Sequence, residues 1–139
     1  MKIEPAQIAD VPAIAALNRV FRVAAERSFL YDRQSWVEAR IPDSFVIRDE
    51  KGIAAHSCLQ HFSDHAELKI MVVREDCRRL GLGSALVKHA IEKASKAGAP
   101  EIRLGSGRRF GVKDFYLRHG FEIDERRTND LNYRFIMRL

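Results

Sequence analysis

A glycine-containing segment in the middle of the chain has the residue types needed to bind phosphate. It reads Arg78-Arg79-Leu80-Gly81-Leu82-Gly83-Ser84, follows a run of strand-forming residues and opens a long helical pattern. Glycine permits a tight turn and a close approach of the backbone to a ligand. The first N–H groups of the following helix have no partner within the helix and lie at the positive end of its dipole. The segment therefore predicts an anion site at a helix N-terminus, with two arginines adding positive charge.

Two common phosphate-binding motifs do not fit this segment. A P-loop requires Lys-Ser or Lys-Thr after its last glycine, whereas Ser84-Ala85 follows Gly83. The dinucleotide fingerprint requires a third small residue where Leu86 stands, and a strand directly before the first glycine. What remains is Arg-x-x-Gly-x-Gly, from Arg78 to Gly83. The simplest alternative is a glycine turn that only starts a helix.

Hydrophobic periodicity and turn residues predict the elements that would position this segment. After Asp10, a favourable N-cap residue, apolar residues recur every three or four positions to Ala24 and indicate an amphipathic helix. Further helices are expected at 33–40, 82–97 and 112–118. Strands are expected at 1–4, 45–48, 53–62, 66–73, 101–104, 121–124 and 133–139.

This order of elements predicts a mixed α/β, α+β-like fold. We expect a central twisted sheet of six to seven strands flanked by about four helices. A parallel pair is expected only between 66–73 and 101–104, because the long helix at 82–97 joins them. The 139 residues fit one domain that spans 1–139.

The segment from Arg78 to Gly83 resembles the coenzyme A signature of the GCN5-related N-acetyltransferase (GNAT) superfamily. The predicted order of elements is similar to the fold of that family, and Phe115-Tyr116-x-x-x-Gly120-Phe121 resembles its late motif. The resemblance implies an N-acetyltransferase that uses acetyl-CoA. Arg109 stands where the family often has asparagine and is included among the expected cofactor contacts. The other expected contacts are Met71, Val72, Val73, Arg78, Arg79, Leu80, Gly81, Leu82, Gly83 and Ser84.

Direct acetyl transfer from a thioester to a primary amine has defined chemical requirements. An alkylammonium has a pKa near ~10, so a base or a water relay must remove its proton. The carbonyl oxygen gains negative charge and needs a donor, for which the backbone N–H of Met71 is a candidate. The resemblance implies Glu67 as the base and Tyr116 as the acid that protonates the leaving thiolate. The alternatives are that Glu67 is a solvent-facing strand residue and that Tyr116 is a core aromatic.

Charge and cysteine content restrict the remaining function classes. The formal net charge is +5, and basic pairs are scattered at 78–79, 108–109 and 126–127. Such positive charge suits a polyanionic cofactor and also nucleic acid. Cys58 and Cys77 are too few for a disulfide framework and lack metal-ligand spacing. No metal site, secretion signal or membrane association is predicted, and a cytoplasmic location is expected.

Two other functions remain open at this stage. A non-catalytic coenzyme A-binding regulator would keep 78–84 without needing Glu67 or Tyr116. An acetyltransferase acting on aminoacyl-tRNA would use the basic surface. The expected partner is a small-molecule or peptide amine, nucleic acid is the less expected alternative, and the family resemblance also allows a homodimer.

Overall fold

The computed structural model describes residues 2–21 and 30–139. Within these residues the helices are Val11–Leu17 (α1), Gln34–Ala39 (α2), Leu82–Lys96 (α3) and Lys113–Arg118 (α4). The strands are Ile3–Pro5 (β1), Ser44–Asp49 (β2), Gly52–His61 (β3), Ala66–Val73 (β4), Glu101–Gly107 (β5), Glu122–Ile123 (β6) and Asn132–Arg138 (β7). Short 3₁₀ turns lie at Ile8–Asp10, Asn18–Phe21, Ile41–Asp43, Glu75–Cys77 and Arg108–Phe110.

The strands form one mixed sheet in the order β1-β2-β3-β4-β5-β7-β6. The β4–β5 pair is parallel and short, with Ala66 opposite Ile102 and Glu67 opposite Arg103. The pairs β1–β2, β2–β3, β5–β7 and β6–β7 are antiparallel. Parallel neighbours need a long crossover, which α3 provides between β4 and β5. The predicted mixed α/β class and the predicted site of the parallel pair are both confirmed.

The chain divides into two compact units, 1–58 with 70–86 and 59–69 with 87–139. In the first unit the apolar stripe of α1, formed by Val11, Ile14 and Ala15, belongs to one buried cluster with Trp36 and Val37. The predicted continuation of the first helix to Ala24 lies outside the described residues. Within them, α1 ends at Leu17 and a 3₁₀ turn follows.

The second unit has its own buried apolar residues. The strand β5 contributes Ile102 and Leu104, and β7 contributes Phe135, which is only 1% exposed. The helix α4 contributes Tyr116. The strand β5 extends three residues beyond its predicted end, because β7 pairs with it from Glu101 through Gly107.

Asp10 precedes α1, but the predicted capping contact is wrong. Its carboxylate accepts a hydrogen bond from the backbone N–H of Gln7 at 2.8 Å. It also accepts hydrogen bonds from Nη1 and Nη2 of Arg48, at 2.7 Å each. Charged donors form stronger hydrogen bonds to a nearly buried carboxylate than the neutral N–H groups of a helix do. The Arg48 hydrogen bonds lower the pKa of Asp10.

Within the described parts of the chain, no helix combines the length and the apolar character needed to cross a membrane.

The Asp10–Arg48 pair gives a prediction for stability. Replacing Asp10 by Asn should lower the free energy of unfolding at pH 7 by about 1 kcal/mol, because a charge-assisted bidentate contact is lost. The folded pKa of Asp10 is lowered. The stabilisation that ionised Asp10 gives the folded state is therefore complete above its unfolded-state pKa, near ~3.9. It is lost as pH falls through the folded-state pKa. Urea unfolding of the wild type and the variant, at pH 7 and in acid, measures the difference in their free energies of unfolding. This difference should shrink in acid.

Glu4→Gln is the matched control for this experiment. Glu4 binds Nε of the same Arg48 at 2.6 Å, but its side chain is 32% exposed against 8% for Asp10. Its loss should cost less, because exposed ion pairs contribute little. Equal losses for the two variants, or a loss at Asp10 that is independent of pH, would contradict the interpretation.

Candidate functional site

In the first unit, the glycine segment forms a turn that ends in a helix N-terminus. Arg79 and Gly81 both have left-handed backbone conformations, with φ of 67° and 81°. The helix α3 begins at Leu82, and the N–H of Ala85 donates to the carbonyl of Gly81 at 3.0 Å. The N–H groups of Leu82 and Gly83 have no helical carbonyl four residues earlier. The predicted turn and helix start are confirmed at these residues.

This turn combines an exposed rim with a buried base. Arg78, Arg79 and Leu80 are exposed. Leu82 is buried in one cluster with Leu86 and Ile47, which fixes the start of α3. A left-handed arginine costs about 1–3 kcal/mol, and such strain concentrates at ligand-binding turns. The geometry suits an anion that accepts backbone hydrogen bonds and takes charge from arginine.

Arg74 anchors the segment that connects β4 to α3. This role was not predicted from the sequence. Its backbone N–H donates to the carbonyl of Ala54 at 2.8 Å, and Nη1 donates to the carbonyl of Ile53 at 2.9 Å. Its guanidinium also pairs with Asp49 and with Asp76, the latter through Nε at 2.6 Å. Arg74 thereby ties the segment before the glycine turn to the hairpin formed by β2 and β3.

Asp76 belongs to the same cluster as Arg74. It binds Lys51 at 3.0 Å as well as Arg74. The hydrogen bond from Arg74 lowers the pKa of both Asp49 and Asp76. Desolvation raises the pKa of the neighbouring Cys77 thiol, and the two aspartates raise it further. Cys77 is therefore a buried thiol that keeps its proton.

The three β4 residues expected to contact the cofactor differ in what they expose. The side chain of Val72 is buried in the core of the first unit, so its backbone is the part available to a ligand. Met71 and Val73 are half-buried and pack against the cluster that contains Ile47 and Cys77. This alternation follows from the period of two along a strand.

In the second unit, Glu67 lies at the last position where β4 pairs with β5. Its side chain is 20% exposed and therefore neither fully solvated nor buried in the apolar core. It lines a cavity of about 370 Å³. The other residues of this cavity are His65, Arg103, Leu104, Asp124, Arg127, Arg134 and Phe135. His65 thus lies in the cavity lining, whereas His56 is buried in β3.

The charges around this cavity are arranged in pairs. Arg134 Nη1 approaches Glu67 Oε1 to 3.9 Å, and Arg127 Nη1 approaches Asp124 Oδ2 to 3.3 Å. Lys69 Nζ lies 4.0 Å from Glu67 Oε2. Arg103 Nε, by contrast, binds Glu101 Oε2 at 2.6 Å. The lining therefore presents carboxylates and guanidinium groups next to one another, which suits a polar, charged ligand.

Tyr116 lies on α4 and is 7% exposed. Its ring contacts Phe135 at a centroid distance of 5.2 Å and Phe121 at 6.0 Å. Burial raises the pKa of Tyr116 to about 12. The phenol therefore carries its proton at neutral pH and is available as a donor.

Glu67 and Tyr116 belong to the same unit but lie on opposite faces of the sheet. The register places Glu67 beside Arg103, and places Leu104 beside Phe135. Consecutive side chains of a strand point to opposite faces. Tyr116 contacts the ring of Phe135 and so lies on the face that Glu67 does not occupy.

Arg109 lies in the 3₁₀ turn that directly follows β5. It is exposed, and its guanidinium lies over the ring of Phe110 at 4.3 Å. Among the residues predicted for the site, Arg109, Glu67 and Tyr116 belong to the second unit. The residues 71–73 and 78–84 belong to the first.

Comparison with solved structures supports the fold. Rv2747 of Mycobacterium tuberculosis, in complex with CoA, aligns with a TM-score of 0.81 and 19% identity over 100% of this chain and 99% of that chain. PaiA N-acetyltransferase of Thermoplasma acidophilum, in complex with coenzyme A, gives 0.81 and 17% over 99% and 98% of the two chains. The ribosomal-protein-S18-alanine N-acetyltransferase of Escherichia coli gives 0.73 and 21% over 99% and 92%. At these identities the structures establish similarity of fold.

Membership of a family comes from the sequence itself. Residues 42–123 match the family described as acetyltransferase (GNAT) domain. This range covers more than half of the 139 residues and includes β4, the glycine turn, α3 and Tyr116. The mixed sheet and the crossover helix agree with that assignment. The chain belongs to the GNAT family of acetyltransferases.

Proposed function

We propose that this chain transfers the acetyl group of acetyl-CoA directly to a primary amine of a small molecule or a peptide. The observation that carries the proposal is Glu67, a carboxylate lining a cavity in a chain of the GNAT family. Acetyl-CoA, when bound, supplies an acetyl group activated as a thioester. We further propose that residues 1–139 act as one catalytic domain. The cytoplasmic location stays a prediction from the sequence.

The glycine turn is the proposed binding site for the pyrophosphate of the cofactor. Backbone N–H groups between Arg79 and Ser84 would donate to it, at the positive end of the α3 dipole. The left-handed conformations of Arg79 and Gly81 support this role, because they curve the backbone into a concave turn before the helix. Arg78 and Arg79 are exposed and can add charge. Two structurally similar proteins, Rv2747 and PaiA N-acetyltransferase, have structures in complex with coenzyme A.

Glu67 is the proposed acceptor for the proton of the substrate ammonium. A carboxylate oxygen that borders the cavity can hydrogen-bond an amine there directly or through one water. The backbone N–H of Met71, four residues further along β4, is the proposed donor to the acetyl oxygen. Both residues are on the half-buried face of β4.

Tyr116 is the proposed donor to the departing thiolate. Its hydroxyl is protonated at neutral pH, since burial raises its pKa to about 12. It lies on the sheet face opposite Glu67. In a direct acyl transfer the two groups would act at different stages, Glu67 on the attacking amine and the Tyr116 hydroxyl on the leaving thiolate.

The first prediction of this proposal concerns Gly83. Replacing it by Val adds a branched side chain at the second position of α3, beside the N–H groups proposed to bind pyrophosphate. Affinity for CoA should fall about tenfold or more, equivalent to about 1.4 kcal/mol. Calorimetric titration with CoA measures the loss. Ser95→Val, on an exposed position near the other end of α3, is the matched control and should bind normally. Unchanged affinity in a folded Gly83→Val protein would remove the pyrophosphate site from the proposal.

The second prediction concerns Glu67. Glu67→Gln keeps the shape of the side chain and removes the base, so kcat should fall by about 10²-fold at neutral pH. The deficit should shrink at high pH, where more of the amine is already neutral. Steady-state thiol release across pH provides the measurement. Glu122→Gln, an exposed position on β6, is the matched control. Full activity of Glu67→Gln at neutral pH would show that the proton leaves by another route.

The third prediction separates the enzyme from a coenzyme A-binding regulator. Tyr116→Phe preserves the ring contacts with Phe121 and Phe135 and removes only the hydroxyl. The parameters kcat and kcat/KM should fall together by about tenfold to a hundredfold, with CoA affinity nearly unchanged. Kinetics and calorimetry on the same preparation measure both. Tyr133→Phe, in which Arg108 packs over the ring at 4.1 Å, provides the comparison. An undiminished kcat in Tyr116→Phe would exclude the hydroxyl from the reaction.

A further inference from the structure

We infer that the acceptor is a free α-amino acid, whose carboxylate is bound by Arg134 while its amine faces Glu67. This inference rests on the proposed function, since it names the substrate class of the same site. It depends on the side chains around the cavity of the second unit, and in particular on how Arg134 reaches it.

Arg134 reaches the cavity across β5, at a position where β5 has no side chain. The register pairs Arg134 of β7 with Gly105 of β5. A Cβ built on Gly105 would lie 2.9 Å from Arg134 Nη1 and 3.1 Å from Cζ. The absence of a side chain at Gly105 therefore allows the guanidinium to lie flat across β5. It ends 3.9 Å from Glu67, on β4, the strand beyond.

The guanidinium of Arg134 is weakly engaged by the protein. Its approach to Glu67 is longer than a hydrogen bond, and 47% of its side chain is exposed. Arg103, its neighbour in the cavity lining, is committed to Glu101 at 2.6 Å and has only 22% of its side chain exposed. Arg134 therefore has donors available for a ligand, whereas Arg103 has fewer.

The position of Arg134 makes a simple alkylamine a poor ligand. An ammonium that approaches Glu67 comes within a few ångströms of the guanidinium and is repelled by it. A carboxylate on the same substrate converts this repulsion into a charge-assisted, bidentate contact. Because Glu67 and Arg134 lie close together, the ammonium and the carboxylate must be joined through few atoms, as they are at an α-carbon.

Arg127 and Asp124 form a second loose pair on the same cavity. Arg127 Nη1 lies 3.3 Å from Asp124 Oδ2, and the arginine side chain is 49% exposed. It adds a second cation for the substrate carboxylate. The N-terminal amine of a peptide has an uncharged peptide group on its α-carbon, so it would bring no carboxylate to either arginine. The site thus favours free amino acids over peptide N-termini.

The test compares acceptors that have this carboxylate with acceptors that lack it. Thiol release from acetyl-CoA is measured with the standard L-amino acids, with the α-amide of each, and with polyamines. The amine of an amino-acid amide is less basic, so more of it is neutral at pH 7 and basicity alone would favour the amide. We expect kcat/KM for the best amino acid to exceed that of its amide by about tenfold or more.

Substitutions then assign this preference to Arg134. Arg134→Gln should reduce the ratio of acid to amide by about tenfold, through KM for the acid, with activity on the amide retained. Gly105→Ala should act in the same direction, because its Cβ displaces the end of a flexible side chain without removing its charge. Arg134→Lys should restore part of the ratio. Arg126→Gln, at an exposed position beside Arg127 and outside the cavity lining, is the matched control and should change nothing.

The outcomes distinguish this inference from the proposed function. Turnover confined to amides and polyamines, or an equal ratio in the wild type and Arg134→Gln, would overturn the amino-acid inference and leave the transferase intact. An equal loss on acid and amide in Arg134→Gln would also overturn it, since that is the effect of a structural residue. Absence of turnover on every amine would reject the proposed function itself.

Discussion

The parallel pairing of β4 with β5 is the constraint on which the cavity of the second unit depends. It comprises Ala66 opposite Ile102 and Glu67 opposite Arg103. Because β5 also pairs with β7, this register decides which residues of three strands share a face with Glu67. A slip of one residue in β4 would turn Glu67 to the face of Phe135. Apolar side chains on the other face of β4, such as Leu68, oppose that slip, since it would expose them.

Much of this framework could be predicted because the signals are local. The bounds of β4 and the start of α3 follow from alternation of apolar residues and from a glycine turn, and both agree with the structure. The half-buried face that Glu67 shares with Met71 follows from the same period of two. The parallel step could be predicted because a long helix between two strands leaves room for a crossover.

The contacts that shape the site could not be predicted, because they depend on register between strands distant in sequence. Nothing around Gly105 in the sequence indicates that Arg134 lies over it. The link from Arg74 to Asp49 likewise requires that the end of β4 meet the β2–β3 turn. Asp10 shows the same limit. Its residue type and position predicted a helix cap, but its carboxylate binds Arg48, which lies on a strand distant in sequence. Long charged side chains find partners that fold topology, rather than sequence spacing, brings near.

The burial of Tyr116 bears on the role proposed for its hydroxyl, which is to donate to the departing thiolate. A leaving thiolate resembles a thiol with a reference pKa of about 8.5, whereas the pKa of Tyr116 is raised to about 12. Net proton transfer from the phenol to the thiolate is therefore uphill, and it would leave a phenolate in the apolar contact with Phe121 and Phe135. A hydrogen bond from the same hydroxyl requires no uphill proton transfer and forms no buried phenolate. It stabilises the negative charge that develops on the thiolate sulfur. The environment of Tyr116 thus favours stabilisation of the thiolate by a donor that keeps its proton, with water completing the protonation after release.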